Sequence, residues 1–441
     1  MGQSLRYEGS FHRDDEVAVF RPPGYPFFVA TVLWLRDIPS GESHSTNEFD
    51  ELTVALVQSL LSAAASTLIF LMLSRDLAQS TAISFTLVHI FNPFLVYAVG
   101  WANYPTLHVF GIVLSCYLLD RALRSTSSKR STSTSLLLVS GISWGLTTLV
   151  RPMSLLMPLV LLSLLSIRRE LGLRDRIRYL AVFLCGMCAV ITPYSIRNYA
   201  LTGEAVLVNA QAGTAIWGST VEKIEGNFLD WVPLWFEHGM PIYTEITGDE
   251  EYDLQVFLAR AVELNDRFRK EAAQNIKDNP GTYVHNVVKN IYAFVAHSEE
   301  EYIGLFRKNQ RAVEPQEGPN SSDHLGVTGE SLARLLAVSL TTLGLAGICV
   351  SLLRRRLAAQ ISALTLGMFI LAHAFTYLTV RYLYIKYPLL IVLCGHMNHE
   401  LRNFHTTHLP LRRSAAALGI GLEIALPALA ILTTLIMLAV I

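Results

Sequence analysis

Long apolar runs alternate with short polar connections along most of this chain. Runs of about the length needed to cross 30 Å of hydrocarbon, roughly 20 residues, lie at 52–74, 80–98, 104–120, 136–167, 178–195, 332–353, 359–378, 382–396 and 417–441. The run 136–167 is too long for one crossing and is interrupted by Arg151-Pro152, so it predicts two spans that turn at that point. One sizeable polar stretch, 196–331, breaks the series, and a helical pattern from about 253 to 295 inside it predicts a lobe packed on the membrane part. The pattern predicts an all-α polytopic membrane protein, with about 9–11 transmembrane helices and a mixed external lobe. Four segments follow: a proline-rich loop with an interfacial helix (1–51), a first transmembrane region (52–195), the lobe (196–331) and a second transmembrane region (332–441).

Composition fits lipid as the solvent. The 441 residues are 51% hydrophobic and 16% charged, with a mean hydropathy of +0.38, more apolar surface than a water-soluble chain can hide. A net charge of −1 with no Lys/Arg-rich arm gives no footprint for nucleic acid. All five cysteines fall in apolar runs. Cys185-Gly-Met-Cys188 has the C-x-x-C spacing of redox and zinc sites, but without a second pair or a nearby His it reads as packing, and no metal is expected.

The charges orient the spans. Arg121, Arg124, Lys129 and Arg130 share one connection, and Arg168, Arg169, Arg174, Arg176 and Arg178 the next; Arg354–Arg356 and Arg402, Arg412 and Arg413 mark two more. The positive-inside rule makes all four cytoplasmic, with an even number of spans between them. Residues 1–51 and 196–331 then lie outside a cytoplasmic membrane, together with the turns at Trp101–Tyr104 and Thr379–Tyr382.

Four arginines end up on that outer face, against the charge trend and each beside Pro or Tyr: Arg21 in "RPPGYP", Arg151 in "LTTLVRP", Arg197 in "TPYSIRNY" and Arg381 in "TVRYLYIKYP". Interfacial arginines commonly snorkel as anchors. A cluster of them at headgroup level also suits a lipid phosphate, which a guanidinium fork binds through two charge-assisted hydrogen bonds. Asn198 and Tyr382 sit beside two of them. Nothing in the chain has the pattern of a Walker or dinucleotide loop, and no cofactor is implied.

The ordered series "RPPGYP", "GLTTLVRP", "TPYSIRNYALTGEAVLVNAQAGTAIWGS" and "RYLYIKYP" resembles the GT-C fold glycosyltransferases. The closest group is the protein O-mannosyltransferase and lipid A aminoarabinose transferase family (glycosyltransferase family 39-like). Glu271–Tyr283, "EAAQNIKDNPGTY", is similar to the external helix before the C-terminal spans of these enzymes. The resemblance implies a membrane enzyme that moves a sugar from a polyprenyl-phosphate donor to an extracytoplasmic acceptor, which the sequence does not identify. It also implies that rigid prolines hold Arg21 near the donor phosphate, with Tyr25 an amphipathic contact at the same level.

The family places its main catalytic carboxylate just after its first span, and the resemblance implies that both lie before Met1 here. Asp14, Asp15 and Glu16 are the nearest carboxylates in this chain to serve as general base, and a solvated loop is the competing reading for them. At the outer turn where relatives commonly carry a second acidic residue stands Asn103, which can bond a sugar hydroxyl but cannot act as a base. Two other functions fit an arginine cluster: a transporter of lipid-linked glycans, and a binding-competent but catalytically impaired remnant or partner subunit.

Overall fold

Apolar runs in lipid must satisfy their backbone internally, and here they do so as helices. A computed structural model describes residues 12–13, 16–17, 19–37, 47–100, 102–125, 130–168, 171–221, 235–296, 321–354, 356–376, 378, 380–403 and 409–440. Asp14 and Asp15 lie outside the described residues. Apart from an antiparallel pair of two-residue strands, β1 (His12–Arg13) and β2 (Glu16–Val17), the described elements are helical.

Helix α1 (Gly24–Asp37) precedes the spans α2 (Asn47–Leu73), α5 (Pro105–Arg124), α6 (Arg130–Val150) and α8 (Leu173–Thr202). A second group comprises α14 (Ser321–Arg354), α15 (Leu357–Ala374) and α17 (Leu409–Val440). These 7 helices are long and apolar enough to cross a membrane. Between α2 and α5, α3 (Gln79–Ile90) and α4 (Pro93–Gly100) form one further candidate span bent by 47°. The bend has a local cause: Pro93 cannot continue α3, and the Asn92 side-chain oxygen instead accepts the N–H groups of Phe94 at 3.1 Å and Leu95 at 3.2 Å.

Two further helices are shorter, the apolar α7 (Met157–Ile167) and α16 (Lys386–Arg402). Each is entered through a 3₁₀ turn, Pro152–Leu156 and Val380–Ile385 respectively. The turn expected within 136–167 falls at Arg151, whose extended backbone (φ −148°) and following Pro152 end α6.

The spans share one continuous apolar core, within which two close-packed groups stand out. In the first, α6 and α8 approach so closely that a Cβ on Gly141 would lie 2.2 Å from the Phe183 carbonyl oxygen, and one on Gly186 2.4 Å from that of Leu138. In the second, α16 runs through the middle, with Leu389–Cys394 all buried among α14, α15, α17 and α3.

The polar stretch forms the lobe: α9 (Ala212–Trp217), α10 (Met240–Thr247), α11 (Leu254–Ala259), α12 (Ala261–Asp278) and α13 (Pro280–Ala296). Its core is aromatic, with Trp217, Trp235, Tyr243, Phe257 and Phe268 buried together. The lobe lies at the end of the bundle where α6 and α15 finish and α2 and α5 begin. Arg124, Arg168, Arg354 and Arg402, at the far ends of α5, α7, α14 and α16, lie at the opposite end.

Candidate active site at the lobe-side ends of the spans

The residue just before the chain turns into α7 organises this region. The Arg151 guanidinium lies over the Tyr382 ring at 3.5 Å from its centroid and over the Tyr104 ring at 5.0 Å. These rings come from the start of α5 and from the 3₁₀ turn before α16, so three distant stretches of sequence meet at one cation. His108, one turn along α5, contacts the Ser154 hydroxyl at 3.2 Å through Nε2. His373, near the end of α15, lies 5.1 Å from the Tyr382 ring and donates from Nδ1 to the Phe369 carbonyl at 2.8 Å. A carbonyl only accepts, so that contact fixes the proton of a neutral His373 on Nδ1. Arg151 acts electrostatically on both histidines.

The proline-rich segment is held from two sides. On the lobe side the Val19 carbonyl accepts the Ala210 N–H at 2.9 Å, the Phe20 carbonyl accepts the Asn209 amide at 3.2 Å, and the Phe20 ring meets Phe257 edge-on at 4.7 Å. On the membrane side Gly24 abuts the end of α6, where a Cβ would lie 2.6 Å from the Val150 nitrogen and 2.8 Å from the Leu149 carbonyl carbon. Arg21 sits between these clamps with its side chain exposed. Burial pushes the Tyr252 hydroxyl in the lobe to a raised pKa, and the nearby Arg21 charge partly offsets that rise. Because the obstruction at Gly24 is backbone, Gly24→Ala must separate the loop from Val150. We expect a loss of about 1–3 kcal/mol in stability, read as a lower melting temperature, together with weaker ligand binding if Arg21 contributes to it.

The other residues singled out in the sequence fall as follows. Tyr25 donates to the Gln58 side-chain oxygen at 3.4 Å, and Gln58 in turn donates to the Val99 carbonyl at 2.9 Å, so this tyrosine braces α1 against α2. Burial and then the Glu51 charge raise its pKa. Asn103 accepts the Tyr104 N–H at 2.8 Å, shaping the turn that presents that ring. Arg197 lies 5.3 Å from the Tyr194 ring and donates to Asn198 at 3.1 Å. The buried Asn198 amide holds the chain after α8 through the carbonyls of Val206 at 3.1 Å and Val208 at 3.4 Å, a structural use. Glu16 is placed in β2 and Arg381 in the 3₁₀ turn, and their side chains lie outside the described residues. The structure therefore joins Arg151 to the segment carrying Arg381, and sets the Arg21 loop against the end of α6. Tyr104, His108 and His373 are the additions, with a Tyr-Pro pair at the head of a span the one local signal for Tyr104.

In fold, the spans and lobe together are similar to membrane glycosyltransferases of the GT-C type. Residues 22–196 match the family model of dolichyl-phosphate-mannose-protein mannosyltransferases. Among solved structures, the chain is similar to the oligosaccharyltransferase of Archaeoglobus fulgidus in its apo form. The TM-score is 0.52 at 13% identity, over 98% of this chain and 51% of that one. The archaeal oligosaccharyltransferase AglB from Archaeoglobus fulgidus, in complex with an inhibitory peptide and a dolichol-phosphate, aligns with a TM-score of 0.53 at 14% identity, over 98% of this chain and 51% of the other. ArnT from Cupriavidus metallidurans bound to undecaprenyl phosphate aligns with a TM-score of 0.41 at 12% identity, covering 96% and 82%. The chain spans about half the length of the oligosaccharyltransferases it matches. Comparison with the curated proteins finds no match.

Proposed function

We propose that this chain is a membrane glycosyltransferase that takes a sugar from a polyprenyl-phosphate donor and passes it to an acceptor on the lobe side of a cytoplasmic membrane. The observation that carries this reading is the Arg151 guanidinium held between Tyr104 and Tyr382 at the lobe-side ends of the spans. A cation fixed on two rings keeps its N–H edge in a set orientation, which suits an anionic oxygen at headgroup level. The clamped loop bearing Arg21 and the match of residues 22–196 to the mannosyltransferase family model support the same site. Dolichol-phosphate accompanies the similar fold in AglB, and a phosphorylated polyprenol is the corresponding ligand here.

In this reading the protein supplies position and charge. Arg151, with Arg21, Arg197 and Arg381 as further candidates, stabilises the phosphate as it leaves. A carboxylate base takes the proton of the acceptor hydroxyl; Asp14, Asp15 and Glu16 are the candidates in this chain. Asn103 and Asn198 are kept only as neighbours that shape the site. The arginine-rich connections opposite the lobe support a cytoplasmic placement of that end.

Two measurements test this. The purified chain in nanodiscs should bind undecaprenyl phosphate saturably, and absence of binding to this lipid and to dolichyl phosphate would sink the reading. For sidedness, single cysteines at positions 127 and 249, on a background without the native cysteines, are treated with an impermeant thiol reagent in intact cells. Position 249 should label and 127 should not; the reverse pattern would put the lobe in the cytoplasm.

A further inference from the structure

We infer that α13 is seated in the lipid leaflet on the lobe side, where its outward face docks on the acyl-headgroup boundary. One face of the helix is pinned to protein by two asparagines one turn apart. The Asn286 amide donates to the carbonyls of Ser219 at 3.0 Å and Val221 at 2.9 Å in the lobe. The Asn290 amide donates to those of Ala374 at 3.1 Å and Thr376 at 2.9 Å, at the end of span α15. Residue 290 is therefore level with the end of the candidate span α15. One turn further on, Phe294 is fully buried in the same apolar core as the spans.

The opposite face carries Val284, Val288, Ile291 and Tyr292, which are 60%, 59%, 39% and 65% exposed. They recur at helical spacing and form one stripe. The spans that α13 contacts also expose apolar side chains, Leu371 and Phe375 at the end of α15 and Leu335 and Val338 on α14. His285 and Lys289 flank the stripe and are exposed. An apolar stripe with a tyrosine and a basic shoulder, fixed at the end of a span, fits a helix lying in the interface plane.

The seating has a consequence for the site. Phe294 stacks on His373 with ring centroids 5.3 Å apart, and its carbonyl accepts from Lys386 Nζ at 3.3 Å. His373 in turn lies against Tyr382, under the Arg151 cation. The depth of α13 thus helps set the position of that corner.

The test uses the full chain in nanodiscs, with the native cysteines replaced and single cysteines carrying a bimane fluorophore at positions 284, 288 and 291. Position 371 on α15 serves as the lipid control and Gln274 on the exposed side of α12 as the aqueous control. With phosphatidylcholine brominated near the top of its acyl chains, the three α13 labels should be quenched to within about twofold of the label at 371. They should resist aqueous iodide, which quenches the label at 274. Quenching like that at 274 would overturn the inference and leave the stripe facing water. Protection from both quenchers, with a doubled particle mass, would overturn it in favour of a second copy of the chain.

Discussion

Arg151→Lys is expected to weaken binding of a polyprenyl-phosphate sugar about tenfold to a hundredfold, ~1.4–2.8 kcal/mol, while leaving the protein folded. Lysine keeps the charge but loses two properties of the guanidinium. Its ammonium has no plane to lie on Tyr382, now 3.5 Å from the guanidinium carbon, and no fork to hold two phosphate oxygens. The tyrosines give an internal control. Tyr382→Phe keeps the ring and should preserve most of the binding, whereas Tyr382→Leu removes it and should approach the effect of Arg151→Lys. Titration of each variant in nanodiscs with the lipid-linked sugar, alongside its melting temperature, separates the outcomes. Wild-type affinity in Arg151→Lys would make this arginine an interfacial anchor.

Much of the membrane architecture was legible because run length and charge placement are properties of the sequence itself. The turn at Arg151-Pro152 could be read from one proline in one overlong run. What surrounds Arg151 could not, since Tyr104 and Tyr382 belong to other segments and only tertiary packing brings them there. Hydropathy also cannot separate lipid-facing from protein-facing helices, because both neighbours are apolar. Helix α16 is buried around its circumference over Leu389–Cys394, whereas α2 exposes Leu52, Leu56 and Leu60, and both read simply as apolar runs. Side-chain amides are hard to read for another reason. Asn198 sits beside an arginine in the sequence and suggests a ligand contact, yet its N–H groups hold the backbone after α8. The docking of Val19 and Phe20 on the lobe was equally invisible, because the lobe residues they meet lie about two hundred positions away.

At the end of the bundle opposite the lobe, Asp120→Ala should be the most destabilising single change, costing about 2–4 kcal/mol. Asp120 is fully buried on α5 and accepts from Arg75 at 2.7 Å and from Arg124 at 2.8 Å. Arg124 also grips both oxygens of Asp76, at 3.0 and 2.7 Å, and Arg75 reaches the Tyr117 hydroxyl at 3.3 Å. Removing the shared carboxylate takes away the acid that Arg75 pairs with and leaves Arg124 held by Asp76 alone. Breaking a buried ion pair from one side costs ~3–5 kcal/mol; the partial exposure of both arginines lets water repay some of it, hence the lower range. The turn joining α2 to α3 carries both Arg75 and Asp76, so it should loosen from α5. Thermal unfolding in detergent would show this as a melting temperature several degrees below wild type. The double variant Asp120→Ala with Arg75→Met should recover part of the loss, because one uncompensated charge goes as well. An unchanged melting temperature in Asp120→Ala would mean that these arginines are satisfied by water and lipid phosphate, and that the network holds nothing in place.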